Sequence, residues 1–87
     1  MTGWSFIGSC ADGEAFAIEG TDVWSRAWTP RRGEFAEVRD PQYQQRFTFP
    51  VYELATERGS VTFAAGEFSN CIWGFYRPAE DEASGPG

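Results

Sequence analysis

The chain has neither histidine nor lysine among its 87 residues. Without histidine, the side chain most used for proton transfer near neutral pH is missing. No Ser-His or Cys-His nucleophile pair can be built. Without lysine there is no Schiff-base amine and no phosphate-loop lysine, and no GxGxxG run occurs either. Cysteine is nearly as scarce. Cys10 and Cys71 lie far apart, with no CxxC and no histidine, which excludes a zinc site of the usual nitrogen and sulfur type within one chain. Two cysteines are also too few for a disulfide-built small domain. No apolar run approaches the roughly 18 residues of a membrane span. Nor does a basic start precede an apolar run, as a secretory signal requires. These absences lead us to expect a non-catalytic, cytoplasmic protein with free thiols, no metal and no cofactor.

What is present is aromatic: four Trp, three Tyr and eight Phe. Each can bury about 150–250 Å². That matters because a chain this short buries only roughly 60–65% of the surface its unfolded form exposes. The net charge of −6 is unevenly spread. Asp12, Glu14, Glu19 and Asp22 meet no base before Arg26, whereas six of the seven arginines fall within residues 26–58. Glu80, Asp81 and Glu82 sit in a C-terminal stretch with no aromatic and no periodicity. Residues 79–87 therefore read as a disordered acidic tail on one β domain spanning 1–78. Duplex DNA is disfavoured as a partner, since affinity for it comes largely from basic groups that neutralise phosphates.

Short apolar–polar alternation, broken by Gly, Pro and Asp, reads as strands and turns. Trp4 to Cys10 and Glu14 to Glu19 flank Asp12-Gly13, a hairpin signal in which both turn positions tolerate positive φ. Asp22 to Thr29 reads as a strand with Trp24, Arg26 and Trp28 on one side. It ends at Pro30 before the polar corner Arg31-Arg32-Gly33. Asp40-Pro41 is a helix-start signal, so a short helix near 41–46 is expected within the ambiguous stretch 34–47. Phe47 to Ala55, Val61 to Ala65 and Cys71 to Tyr76 read as a three-stranded meander. Loops of four and five residues would place Leu54, Phe63 and Trp73 in one cross-strand row. Ala55, Thr62, Ala64 and Gly74 would line the other face, small enough for the N-terminal hairpin to cover.

The expected fold is mostly β. It is either a small antiparallel SH3- or Sm-like barrel or a compact sandwich of five to seven strands. The candidate partner-binding residues are Trp24, Arg26, Trp28, Arg31, Arg32 and Phe68. An arginine between two indoles can stack a partner's aromatic ring, and interfaces enrich Trp, Tyr, Phe and Arg. The same stripe can equally be core, with Arg26 lying over a ring. Phe68 is either a knob on an exposed loop or a plug for one end of the barrel. Glu53 is an acid beside apolar strands, where burial would raise its pKa, but it has no evident catalytic partner. The functional expectation is a non-catalytic protein-binding module. It would act through its aromatic surface, as a homo-oligomer or as a small acidic inhibitor or adaptor. The alternative is single-stranded nucleic-acid binding, which combines aromatic stacking with positive charge.

Overall fold

Residues 3–79 are described by the structure, a computed structural model. The strands in chain order are β1 (Trp4–Ala11), β2 (Ala17–Ile18), β3 (Thr21–Asp22), β4 (Thr29–Arg39), β5 (Arg46–Thr56), β6 (Gly59–Ser69) and β7 (Ile72–Pro78). A 3-10 turn occupies Val23–Ser25. Five strands form one antiparallel sheet in the order β1-β7-β6-β5-β4, and β2 and β3 form a two-stranded ribbon. The domain is thus small and mostly β, as its patterning implies. The acidic stretch expected to be a tail lies, from residue 80 onward, outside the described residues.

The meander forms where expected but with tighter turns. Thr56 and Gly59 pair across Glu57-Arg58. The Thr56 hydroxyl closes that turn by donating to the Gly59 carbonyl at 2.6 Å and accepting from the Arg58 amide at 3.0 Å. The β6–β7 turn is Asn70-Cys71, with Cys71 at φ 66°. Shorter loops move the register: Val61 faces Leu54, and Glu67 faces Trp73. Both displacements from the expected row are by an even number of residues, so every side chain keeps its face. Leu54, Phe63 and Trp73 do share one cluster, together with Cys10, Ile18, Val23, Val61, Ala65 and Phe75.

The expected N-terminal hairpin does not form. Asp12-Gly13 does turn, with Gly13 at φ 81° and the Glu14 amide donating to the Ala11 carbonyl at 2.8 Å. The chain then leaves the strand, and β1 pairs instead with β7, Cys10 opposite Trp73. Residues 16–28 fold over the sheet. Phe16 stacks on Phe75 at 4.6 Å, and Ile18 and Val23 are fully buried against the same cluster. Nor is residues 22–29 a strand. The Asp22 carboxylate accepts from the Trp24 amide at 3.2 Å and the Phe16 amide at 3.3 Å, and the Ser25 hydroxyl donates to the Asp22 carbonyl at 2.6 Å. Those bonds cap a 3-10 turn, which competes with extended backbone here.

The helix expected near 41–46 is instead the turn of the β4–β5 hairpin. Asp40 does act as a cap, as described below. β4 is longer than expected, running through Pro30 and Arg39 with an irregularity between Pro30 and Phe35. Pro50 faces Phe35 at the margin of that irregularity. Because Pro30 and Pro50 have no N–H to give to a ladder, a bulge is the physically cheap place for them.

On the other face, Ala36, Val38, Phe49, Val51, Ala64 and Tyr76 form a second cluster, with Trp4, Phe47 and Phe68 packed on it. The expected covering by the N-terminal hairpin is absent. The sheet's own phenylalanines cover its small residues. A Cβ at Gly66 would run into the Phe49 ring, and one at Gly74 into the Phe68 ring. The Tyr76 hydroxyl donates to the Arg39 carbonyl at 2.5 Å, linking β7 to β4 across two intervening strands. The sheet is therefore strongly curled, yet β1 and β4 remain its two unladdered edges. Burial pushes the Tyr76 phenol up to about 12.

Candidate protein-binding cleft

The six residues singled out from sequence are divided between different surroundings. Trp24 and Trp28 do come together, with ring centroids 5.2 Å apart, but they face inward. Trp28 packs edge-on against Tyr52, Phe63, Trp73 and Phe75, and its indole donates to the Val23 carbonyl at 2.7 Å. Trp24 packs edge-on against Trp73 and Phe75, and its buried indole N–H has no oxygen acceptor, only the weakly accepting Cys10 thiol beside it. Arg26 is not between the indoles; it donates to the Ala55 carbonyl at 3.0 Å. Arg31 is bound in ion pairs with Glu34 and Glu53, and Arg32 is exposed in the β4 bulge. Glu53 is half-exposed, its carboxylate occupied by Arg31. Phe68 lies on the opposite face of the sheet from the two indoles, half-buried over Gly74 and beside Phe47, Phe49 and Tyr76. Phe68 thus lies on strand β6 against the sheet face, and among the described residues no barrel closes for it to plug.

The exposed apolar surface lies elsewhere. Among the described residues the exposed large hydrophobic side chains are Phe6, Ile7, Phe35, Tyr43 and Ile72. Phe6, Tyr43 and Ile72 converge on one cleft of about 390 Å³. Phe47 and Phe68 contribute to its lining from β5 and β6, and Ser9, Gln42, Gln45 and Ser69 add polar groups. The cleft lies at the end of the curled sheet where β1, the β6–β7 turn and the β4–β5 turn meet. Its volume is in the range of small-ligand and side-chain pockets, roughly 300–1,000 Å³.

Asp40 carries the one charge in the lining, and its oxygens are already engaged. One accepts from the Tyr43 amide at 2.7 Å and the Gln42 amide at 3.0 Å, the other from the Gln45 amide at 2.7 Å. These bonds, the one from Tyr43 first, hold its carboxyl below the ordinary aspartate value. The Gln44 amide also donates to the Asp40 carbonyl, at 3.1 Å. The carboxylate thus organises the turn that presents Tyr43. Chemically the cleft offers aromatic and aliphatic walls with amide and hydroxyl groups among them, and suits an uncharged apolar group. Among the described residues no cluster of three metal-ligating side chains exists.

Both cysteines are free: Cys10 is buried and Cys71 exposed. Burial pushes the Cys10 thiol above its ordinary value, which disfavours the reactive thiolate. No helix among the described residues is long and apolar enough to cross a membrane. No protein-family model, curated protein or solved structure matches the chain.

Phe6, Tyr43, Phe47 and Ile72 were not singled out from sequence. Their convergence depends on β1 pairing with β7, a contact between the two ends of the chain that no local pattern encodes. One local signal was available. Asp40-Pro41 followed by Gln42-Tyr43-Gln44-Gln45 is a polar turn that nevertheless carries an aromatic residue.

Proposed function

We propose that this protein is a non-catalytic protein-binding module that takes an apolar side chain of its partner into the cleft between Phe6, Tyr43 and Ile72. The observation carrying this reading is the convergence of three of the exposed large hydrophobic side chains on one concavity. Apolar surface that is concave and gathered, rather than scattered singly, is what marks interaction sites. Tyrosine and phenylalanine bring large contact area with few rotors to immobilise, which favours binding. The two free thiols fit a reducing, cytoplasmic setting.

The reading is tested by selecting peptides from a random display library on the wild-type protein and on the double variant Tyr43→Ala/Ile72→Ala. Both side chains are exposed, so the variant should melt at the wild-type temperature. The wild type is expected to enrich sequences sharing an aromatic or aliphatic anchor, and the variant to lose them. No enrichment, or enrichment indifferent to the double variant, overturns the proposal. Titration with a short single-stranded oligonucleotide at low salt covers the nucleic-acid alternative. With Trp24 and Trp28 packed inward, their fluorescence should not be quenched.

A further inference from the structure

The arginines of the described residues fall into two groups. Arg31 pairs with Glu34 and Glu53, and Arg58 and Arg77 both pair with Glu19. Arg26 donates to a backbone carbonyl. Arg32, Arg39 and Arg46 have no hydrogen-bonded or ionic partner among the described side chains. Arg32 sits alone in the β4 bulge, but Arg39 and Arg46 face each other as direct ladder partners on the last rung before the β4–β5 turn. Residues directly opposite on an antiparallel pair have Cβ atoms about 4.5–5.5 Å apart, and like charges placed so are destabilising. Both side chains are exposed, on the face opposite Val38 and Phe47. A shallow hollow of about 180 Å³ lies between them, bordered by Val38 and Glu37. Glu37 lies two rungs further along the same face and also borders the hollow, but makes no ion pair with either guanidinium.

Two guanidiniums without a direct ion-pair partner, at fixed spacing, violate the rule that opposed strand positions should match in charge. Departures of this kind, in an otherwise consistent sequence, concentrate at functional sites. We propose that Arg39 and Arg46 form a clamp for a phosphate dianion, held across the outer face of the β4–β5 hairpin. Phosphate fits better than carboxylate. It carries the charge of two guanidiniums and has enough oxygens to accept paired N–H bonds from both forks. A carboxylate would satisfy one fork and leave the other repelled. The rigid ladder fixes the two Cα positions, so the clamp is largely assembled before the anion arrives. The site is on the other face of the hairpin from the cleft and stands whether or not the cleft binds a partner.

The test follows the arginine side-chain and residue 37–39 and 46–48 amide signals by NMR. The protein is titrated with inorganic phosphate, with acetate at matched ionic strength, and with a short phosphoserine peptide. Phosphate should shift these signals saturably and raise the melting temperature. Arg46→Gln should weaken binding by about tenfold or more, while Arg32→Gln changes it less than about twofold, as expected for a lone exposed charge. Without phosphate, Arg46→Gln should melt no lower than wild type, because it removes a repulsion. A peptide that binds tighter than free phosphate identifies a phosphorylated protein as the source; equal or weaker binding identifies a small phosphate. Non-saturating shifts, equal response to acetate, or equal loss in Arg32→Gln and Arg46→Gln would each overturn the clamp.

Discussion

Trp24 and Trp28 are chemically identical and touch each other, yet they contribute differently. The Trp28 indole N–H has the Val23 carbonyl at 2.7 Å, whereas that of Trp24 is buried with no oxygen acceptor and only the weak Cys10 thiol beside it. Leaving a buried polar group unpaired costs about 1–3 kcal/mol. Trp28→Phe strands the Val23 carbonyl in addition to losing ring area, so it should destabilise by about 2 kcal/mol or more. Trp24→Phe loses similar area but also removes the orphaned donor, and should cost clearly less. Urea midpoints of the two variants decide the matter, and an equal loss would contradict these assignments. Their placement also explains why the WxRxW spacing misled. Alternation puts Trp24 and Trp28 on one side of a strand, but Asp22 captures the amides of Phe16 and Trp24 and curls the segment instead. That Asp22 prevails over the strand pattern depends on Phe16 being brought near by the tertiary fold, which alternation alone does not encode.

Asp40 and the β4–β5 turn show how one side chain can set an element. Its carboxylate binds three backbone N–H groups and so holds Tyr43 at the cleft. Because the folded state holds this carboxyl below its ordinary value, the resulting stabilisation is fully present above about pH 4. It is lost as pH falls through the depressed folded value. Glu19 behaves in the same direction, held low first by Arg77 and then by Arg58, and it ties residues 19, 58 and 77 together. Asp40→Ala removes only the first contribution. At neutral pH the amides of Gln42, Tyr43 and Gln45 should exchange faster in this variant, while those of Phe63 and Phe75 stay protected. Acidifying the wild type through the depressed folded value of Asp40, below the ordinary aspartate range, should reproduce the same local loss. Unchanged exchange at the three turn amides would show that the turn does not depend on the carboxylate. Elements of this kind were partly readable. Asp40-Pro41 marks a cap and Asp40 is one, but the helix expected after it does not form, because a six-residue connection between paired strands leaves no room for it. The meander was readable for a different reason: its turns are local, and errors of even length preserve both faces.

At the scale of the whole molecule, what the sequence could not reveal is the pairing of its ends. β1 lies against β7, and residues 16–28 fold over the sheet that β5, β6 and β7 form. Both hydrophobic clusters share those strands. Leu54, Phe63 and Phe75 face one cluster, while Val51, Ala64 and Tyr76 face the other. Neither cluster can therefore melt without releasing strands that hold the other, and unfolding should be a single cooperative transition. The tryptophans are placed to test this, since Trp24, Trp28 and Trp73 pack on the first cluster and Trp4 on the second. In a Trp4→Phe variant, tryptophan fluorescence reports the first cluster alone. Loss of the Tyr76 phenol's protection, with its ionisation held up near 12 in the fold, reports the second. The two signals should share one urea midpoint, measured at a pH between about 10 and 12, where the exposed phenol ionises and the folded one does not. Separate midpoints would mean that the curled sheet behaves as two halves. Because the end strands must meet, folding should also be slow for so small a chain, on the order of milliseconds to seconds. Removing residues 1–11 should abolish the transition rather than lower its midpoint, since β7 would lose its ladder partner and become an unprotected edge.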